Sequence, residues 1–215
     1  MPPGAAKSPA TKTFVPQGAT LPQLRDAVQH CQGCDLYRHA TQAVLGEGPR
    51  QARIVMVGEQ PGDQEDRAGR PFVGPAGKLL NQALDDAGIP REDVYLTNAV
   101  KHFKFEARGK RRIHKRPSVT EIVACRPWLS AELAVVRPEL IVCLGATAAR
   151  AVIGPGYHLL KERGRFLDHP AAGSVTATVH PSAILRSPDA TQRRTDYEAF
   201  IRDLKAIRQK LEPSA

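Results

Sequence analysis

The chain has 215 residues, 41% apolar and 25% charged, which suits one soluble domain with a full-sized core. The 31 Lys and Arg against 22 Asp and Glu give a formal charge of +9, which fits a polyanionic partner such as nucleic acid and equally a generally basic surface. No apolar run approaches the length of a membrane span, and the opening MPPGAAKSPATKTFVPQGAT lacks the apolar stretch of a secretory signal.

Residues 1–20 are rich in Pro, Ala, Lys and Thr and read as a disordered tail, with 21–212 as a single domain of a cytoplasmic protein. LPQLRDAVQHC (21–31) has helical spacing and ends near Gly33. ARIVMVG (52–58) is a β-branched run closing on Gly and reads as a buried strand. A Gly/Pro-rich loop follows, and AGKLLNQALDDAG (76–88) is an amphipathic helix closed by Gly88. VYLTNAV (94–100) is a second strand. A basic loop comes next, and Ser118 caps a helix over 119–136, which Pro127 is positioned to kink or split. ELIVCLG (139–145) and SVTATVH (174–180) are further strands, ATAARAVIG is a short helix, and 190–211 a long one.

Strands alternate with helices, which predicts an α/β fold: a three-layer α/β/α sandwich around a mostly parallel, four-stranded sheet. Ligands of such sheets bind beyond the C-terminal strand ends. The segments leaving those ends are GEQPG, TNAVKH, LGAT and VHPS, and three of the four carry polar side chains.

Four cysteines in a reducing compartment argue for metal or core roles over a disulfide framework. Cys31 and Cys34 form a CxxC that fits zinc, an iron–sulfur cluster or a redox pair. Cys125 lies on the helix after the basic loop. Cys143 sits inside an apolar strand, where a cysteine is usually a small core hydrophobe. If Cys143 is excluded, His102 is a candidate fourth ligand, since imidazole replaces thiolate at iron in some clusters.

Together GEQPG (58–62), GRPFVGPAGKLL (69–80), LTNAVK (96–101) and VHPS (179–182) resemble the iron–sulfur uracil-DNA glycosylases called family four. The resemblance spans roughly residues 21–205. It implies cleavage of the uracil N-glycosidic bond in DNA, release of free uracil, and a structural [4Fe–4S] cluster on Cys31, Cys34 and Cys125. The third family ligand is Cys, where this chain has His102. That departure and the KRRIH segment resemble the UdgX branch, which cross-links itself to uracil-containing DNA.

The same resemblance assigns roles. Phe72 stacks on the base, which is extruded from a duplex or met single-stranded. The amide of Asn98 offers a donor and an acceptor that match uracil N3–H and O4 and mismatch cytosine. His180 hydrogen-bonds O2 of the departing base. Gly58, Glu59 and Gln60 leave the first strand beside the pocket, where Glu59 steadies the cationic sugar or orients a nucleophile, and Asp63 positions water. Leu185 wedges the vacated stack and Arg186 binds phosphate.

Lys110, Arg111, Arg112, Lys115 and Arg116 surround His114 in GKRRIHKRPS. The cations grip the DNA backbone and lower the pKa of the imidazole, which must be unprotonated to attack. The UdgX resemblance implies that His114 attacks C1′ and leaves a monomeric protein covalently joined to abasic DNA. The competing readings are a glycosylase that turns over with water, and a non-enzymatic metal-containing nucleic-acid-binding protein.

Overall fold

The structure, a computed structural model, describes residues 14–212. The first thirteen residues of the expected tail lie outside the described residues. From Phe14 the chain is placed, with Phe14 and Val15 packed against the cluster that holds Cys31 and Trp128. Among the described residues no helix is long and apolar enough to cross a membrane.

Helix α1 (Leu21–Val28) is followed by strand β1 (Ile54–Gly58), then α2 (Asp63–Ala68) and α3 (Pro75–Ala87). Strand β2 (Val94–Asn98) leads into a hairpin of β3 (Phe105–Arg108) and β4 (Arg111–His114). Next come α4 (Val119–Val136), β5 (Leu140–Leu144), α5 (Ala146–Val152) and the single turn α6 (Leu159–Glu162). Strands β6 (Leu167–His169) and β7 (Ala172–Thr178) precede α7 (Pro181–Leu185) and α8 (Ala190–Leu211).

The sheet runs β2-β1-β5-β7-β6. Its first four strands are parallel, as expected, and β6 adds an antiparallel fifth at the edge. Successive side chains of a strand point to opposite faces, and the core divides on that period. Ile54 and Met56 face Leu80, Leu84, Phe200 and Leu204, whereas Val55 and Val57 face Leu129, Leu133 and Ala148. Helices on both faces bury the central strands β1, β2 and β5 completely, which is why β1 and β5 are uninterrupted apolar runs with no alternation.

Ser118 caps α4 as expected: its Oγ accepts from Glu121 N–H, and the Glu121 carboxylate accepts from Ser118 N–H in return. Pro127 neither splits nor ends that helix, which continues to Val136. The segment expected as a basic loop is instead a β-hairpin, with Phe105 opposite His114 and Ala107 opposite Arg112. Gly109 makes its turn at φ +57°, where a Cβ is disfavoured.

Parallel register brings Gly58 and Asn98 side by side at the C-terminal edge of the sheet, and Leu144 level with Thr178. The four segments singled out in the sequence therefore leave the same edge.

Candidate active site

A cavity of about 950 Å³ opens at that edge, bordered by Glu59, Phe72, Asn98, His114, His180 and Arg186 among others. Its floor is tight. A Cβ on Gly58 would collide with Asn98 Oδ1 and stand 2.9 Å from Phe72 Cζ, so only glycine leaves the slot between amide and ring open. Phe72 holds φ +56°, a left-handed conformation costly for an aromatic residue. Gly77 makes that conformation possible, because a Cβ there would run into the Phe72 carbonyl. The Glu65 carboxylate clamps the same loop by accepting from Gly62 N–H at 3.1 Å and Gly74 N–H at 2.8 Å. Strain fixed by its surroundings in this way marks a functional position.

The Phe72 and His180 rings lie 6.2 Å apart and 25° from parallel. His180 caps α7, and its Nδ1 accepts from Ser182 N–H at 3.1 Å, with Ser182 Oγ at 2.8 Å. An Nδ1 that accepts a main-chain N–H carries no proton, so the neutral ring bears its proton on Nε2. Burial, reinforced by Arg186 and His114, pushes the His180 pKa down to about 4. The site thus offers a neutral Nε2–H donor at physiological pH.

His114 ends β4 on the rim, its side chain half exposed, with Nε2 at 3.4 Å from Glu59 Oε1 and the ring 6.1 Å from that of Phe103. Burial lowers its pKa most; Glu59 opposes this, and Arg186 and Arg116 lower it further. The depression expected from the surrounding cations is present, but its main source is desolvation, and Arg186 comes from a different element.

Three expected roles are corrected. Gln60 is not free to act on a substrate: its Nε2 donates to the carbonyls of Lys104 (3.1 Å) and Lys115 (2.9 Å), and its Oε1 accepts from Lys104 N–H (3.1 Å). It latches the hairpin carrying His114 to the end of β1. Arg112 is not aimed at a DNA phosphate. It pairs with Asp63 and with Asp66 at 2.6 Å, and its guanidinium covers the rings of Phe103 and Phe105. Asp63 is thereby engaged by Arg112 and by Arg67 at 2.9 Å; burial would raise its pKa, yet the two guanidiniums hold it below the usual carboxylate range. A carboxylate so committed is poorly suited to steering water.

Lys110 and Arg111 stand exposed at the hairpin tip. Lys115 pairs with Glu106 at 2.6 Å, and Arg116 lies 3.9 Å from Glu59 and largely exposed. Exposed Arg186 and half-buried Leu185 border the cavity from the end of α7. Ser182, which sets the His180 tautomer, and Glu65, which braces Phe72, went unread in the sequence. A hydroxyl two residues past a strand-end His is the only local signal of the first.

Cys31 and Cys125 are buried in one cluster with Trp128, and Cys34 packs against it. Trp128 Nε1–H donates to Cys31 Sγ at 3.1 Å, and Lys101 N–H to Cys125 Sγ at 3.2 Å. Sulfurs that accept N–H donors in an apolar pocket suit thiolates bound to metal. His102 follows Lys101 directly and is buried, which pushes its pKa down to about 4 and keeps the ring neutral. Among the described residues no group of three or more His, Cys, Asp or Glu side chains is placed to hold a metal ion. Cys143 lies apart in β5, fully buried in the sheet core, as expected.

A family model described as the uracil DNA glycosylase superfamily matches residues 45–205. The chain is 40% identical over 174 residues to the type-4 uracil-DNA glycosylase of Thermotoga maritima, a match covering 80% of this chain and 87% of the relative. It is 34% identical over 194 residues to the type-4 uracil-DNA glycosylase of Archaeoglobus fulgidus, covering 87% and 92%. Fold, strand-end cavity and sequence agree, and the chain belongs to the uracil DNA glycosylase superfamily.

Proposed function

We propose that the protein excises uracil from DNA and is then captured at the resulting sugar through His114. One observation carries the second half: His114 borders the same cavity as Asn98, Phe72 and His180, with Glu59 at its ring nitrogen. Excision itself is supported by the type-4 relatives and by the cavity that Phe72, Asn98 and His180 border together.

Uracil, extruded from a duplex or already single-stranded, enters the slot and stacks on Phe72. Asn98 presents its amide to N3–H and O4, a pairing that cytosine reverses. As the C1′–N1 bond breaks, its electron pair leaves with the base, and negative charge builds on O2. The neutral Nε2–H of His180 donates to that oxygen, an interaction stronger in the transition state than in the ground state. Positive charge builds on the sugar, and the Glu59 carboxylate steadies it from the rim.

The lowered pKa of His114 favours the neutral ring with a lone pair on Nε2, beside the Glu59 carboxylate. That lone pair bonds to C1′. The alkylated ring then loses its Nδ1 proton to solvent and becomes a neutral imidazole attached to the sugar. Such a group departs poorly without acid assistance, so the reaction stops after one event. Gln60 holds the hairpin in place for the attack, and exposed Lys110, Arg111 and Arg116 supply cations for the DNA backbone.

Cys31, Cys34, Cys125 and His102 would hold a [4Fe–4S] cluster. A bound cluster would supply structural cross-linking between the 31–34 segment, the stretch that follows β2, and α4, and would brace the segment leaving Asn98.

A turning-over enzyme that uses water is the second reading, weakened by the pairing of Asp63 with two arginines. Incubation with a uracil-bearing oligonucleotide and a denaturing gel separates the two. A heat-stable shifted band in the native protein, lost in His114→Ser while uracil release persists, is expected. Free abasic product with unshifted native protein would refute capture.

A further inference from the structure

Leu160 has no place in the chemistry above. It is 92% exposed, the most exposed large apolar side chain among the described residues, yet it borders the same cavity as Asn98 and His180. Leu159, its neighbour in α6, packs into the core beneath the sheet, so the turn is anchored on one side and displays Leu160 on the other.

That display is rigid. Tyr157 is buried and donates its hydroxyl to the Glu162 carbonyl at 2.8 Å, which closes the turn across its base. Arg163 pairs with Asp203 of α8 at 2.5 Å, and Gly164 N–H donates to Ala177 O at 3.0 Å, which ties the segment to β7. A leucine held into solvent at the mouth of the cavity gains nothing for the isolated fold. Exposed Lys161 and Arg165 follow it along the chain, so cations accompany the apolar knob. Nucleic acid offers the matching pair, a base face and its phosphates. Leu185, the expected wedge, is only half-buried at the same cavity, and Leu160 projects further.

We infer that Leu160 packs against the nucleobase next to the extruded uracil and covers the face exposed when uracil leaves the stack. This rests on the reading of the chain as a uracil-DNA glycosylase, and it adds a DNA contact from α6.

The test uses the full chain and a duplex with a central uracil and 2-aminopurine beside it. Leu160→Ala removes only exposed atoms, so the fold is kept; circular dichroism checks this. Binding by native protein should change the 2-aminopurine fluorescence as its stacking changes. In Leu160→Ala that change should be lost and the duplex bound about tenfold more weakly, the scale of one base–side-chain contact. Leu160→Met should restore both. If native protein excises uracil and Leu160→Ala matches it in affinity and fluorescence, the contact is refuted and the glycosylase reading stands. If native protein neither binds nor excises, both fall.

Discussion

Glu132 and Lys101 are completely buried and paired with each other behind the base-reading strand end. The Glu132 carboxylate also accepts from Gly46 N–H at 2.7 Å, Tyr95 OH at 3.0 Å and Thr97 Oγ1 at 3.0 Å. Lys101 Nζ donates to Thr97 Oγ1 at 2.7 Å and to the Asn98 carbonyl at 2.8 Å. Glu132→Ala would leave an ammonium in the core without its counter-charge and three donors without their acceptor. Breaking a buried pair by removing one partner costs roughly 3–5 kcal/mol, a large part of the ~5–15 kcal/mol that holds a domain together. For a chain of this size the fall in melting temperature is roughly 6–20 °C. Urea unfolding at neutral pH measures it, with iron content recorded for each sample. The pair need not be a net stabiliser, and Lys101→Met/Glu132→Leu should recover most of the loss. If Glu132→Ala unfolds within about 1 kcal/mol of the native chain, the network does not carry the weight assigned to it.

Gly58→Ala should leave the protein folded and soluble while uracil excision falls by about a hundredfold or more, because the new methyl fills the slot against Asn98 and Phe72 and misplaces the base; steady-state kcat/KM checks it, and a loss under threefold would contradict the slot. His180 should titrate near pH 4 by nuclear magnetic resonance, in place of the usual value near 6.5. Its folded pKa is depressed, so the unfolded chain binds more protons between these values. Its contribution to stability is therefore full above about pH 6.5 and lost as pH falls toward 4.

Much of the fold was legible because buried parallel strands leave an unambiguous mark. Ile54–Gly58 and Leu140–Leu144 are apolar on both faces, the first ending on Gly58 and the second followed by Gly145, and the motifs that follow them fall at one sheet edge. The hairpin was not legible, because Arg111, Arg112 and His114 are poor strand formers in isolation. Pairing with the adjacent Phe105–Arg108 and the Gln60 latch make the strand, and the latch comes from a distant part of the sequence. Helix α2 lay hidden in a Gly/Pro-rich stretch for a related reason: its stability comes from Asp66 accepting from Thr41 N–H and pairing with Arg112, contacts made across the fold. The same two arginine pairings explain why Asp63 and Arg112 looked like site residues. Water positioning and phosphate binding were expected of them, and instead they pair with each other. Asn98, His180 and His114 were singled out through the family resemblance, and all three border the strand-end cavity.

The central claim is a bond between His114 and C1′ of the sugar. Peptide mapping by mass spectrometry, after reaction with uracil-DNA and digestion of both polymers, tests it directly. The account predicts a deoxyribose remnant on the peptide containing His114, absent when His114 is Ser although free uracil is still released. A remnant on another residue, or none on a native protein that has released uracil, would contradict it.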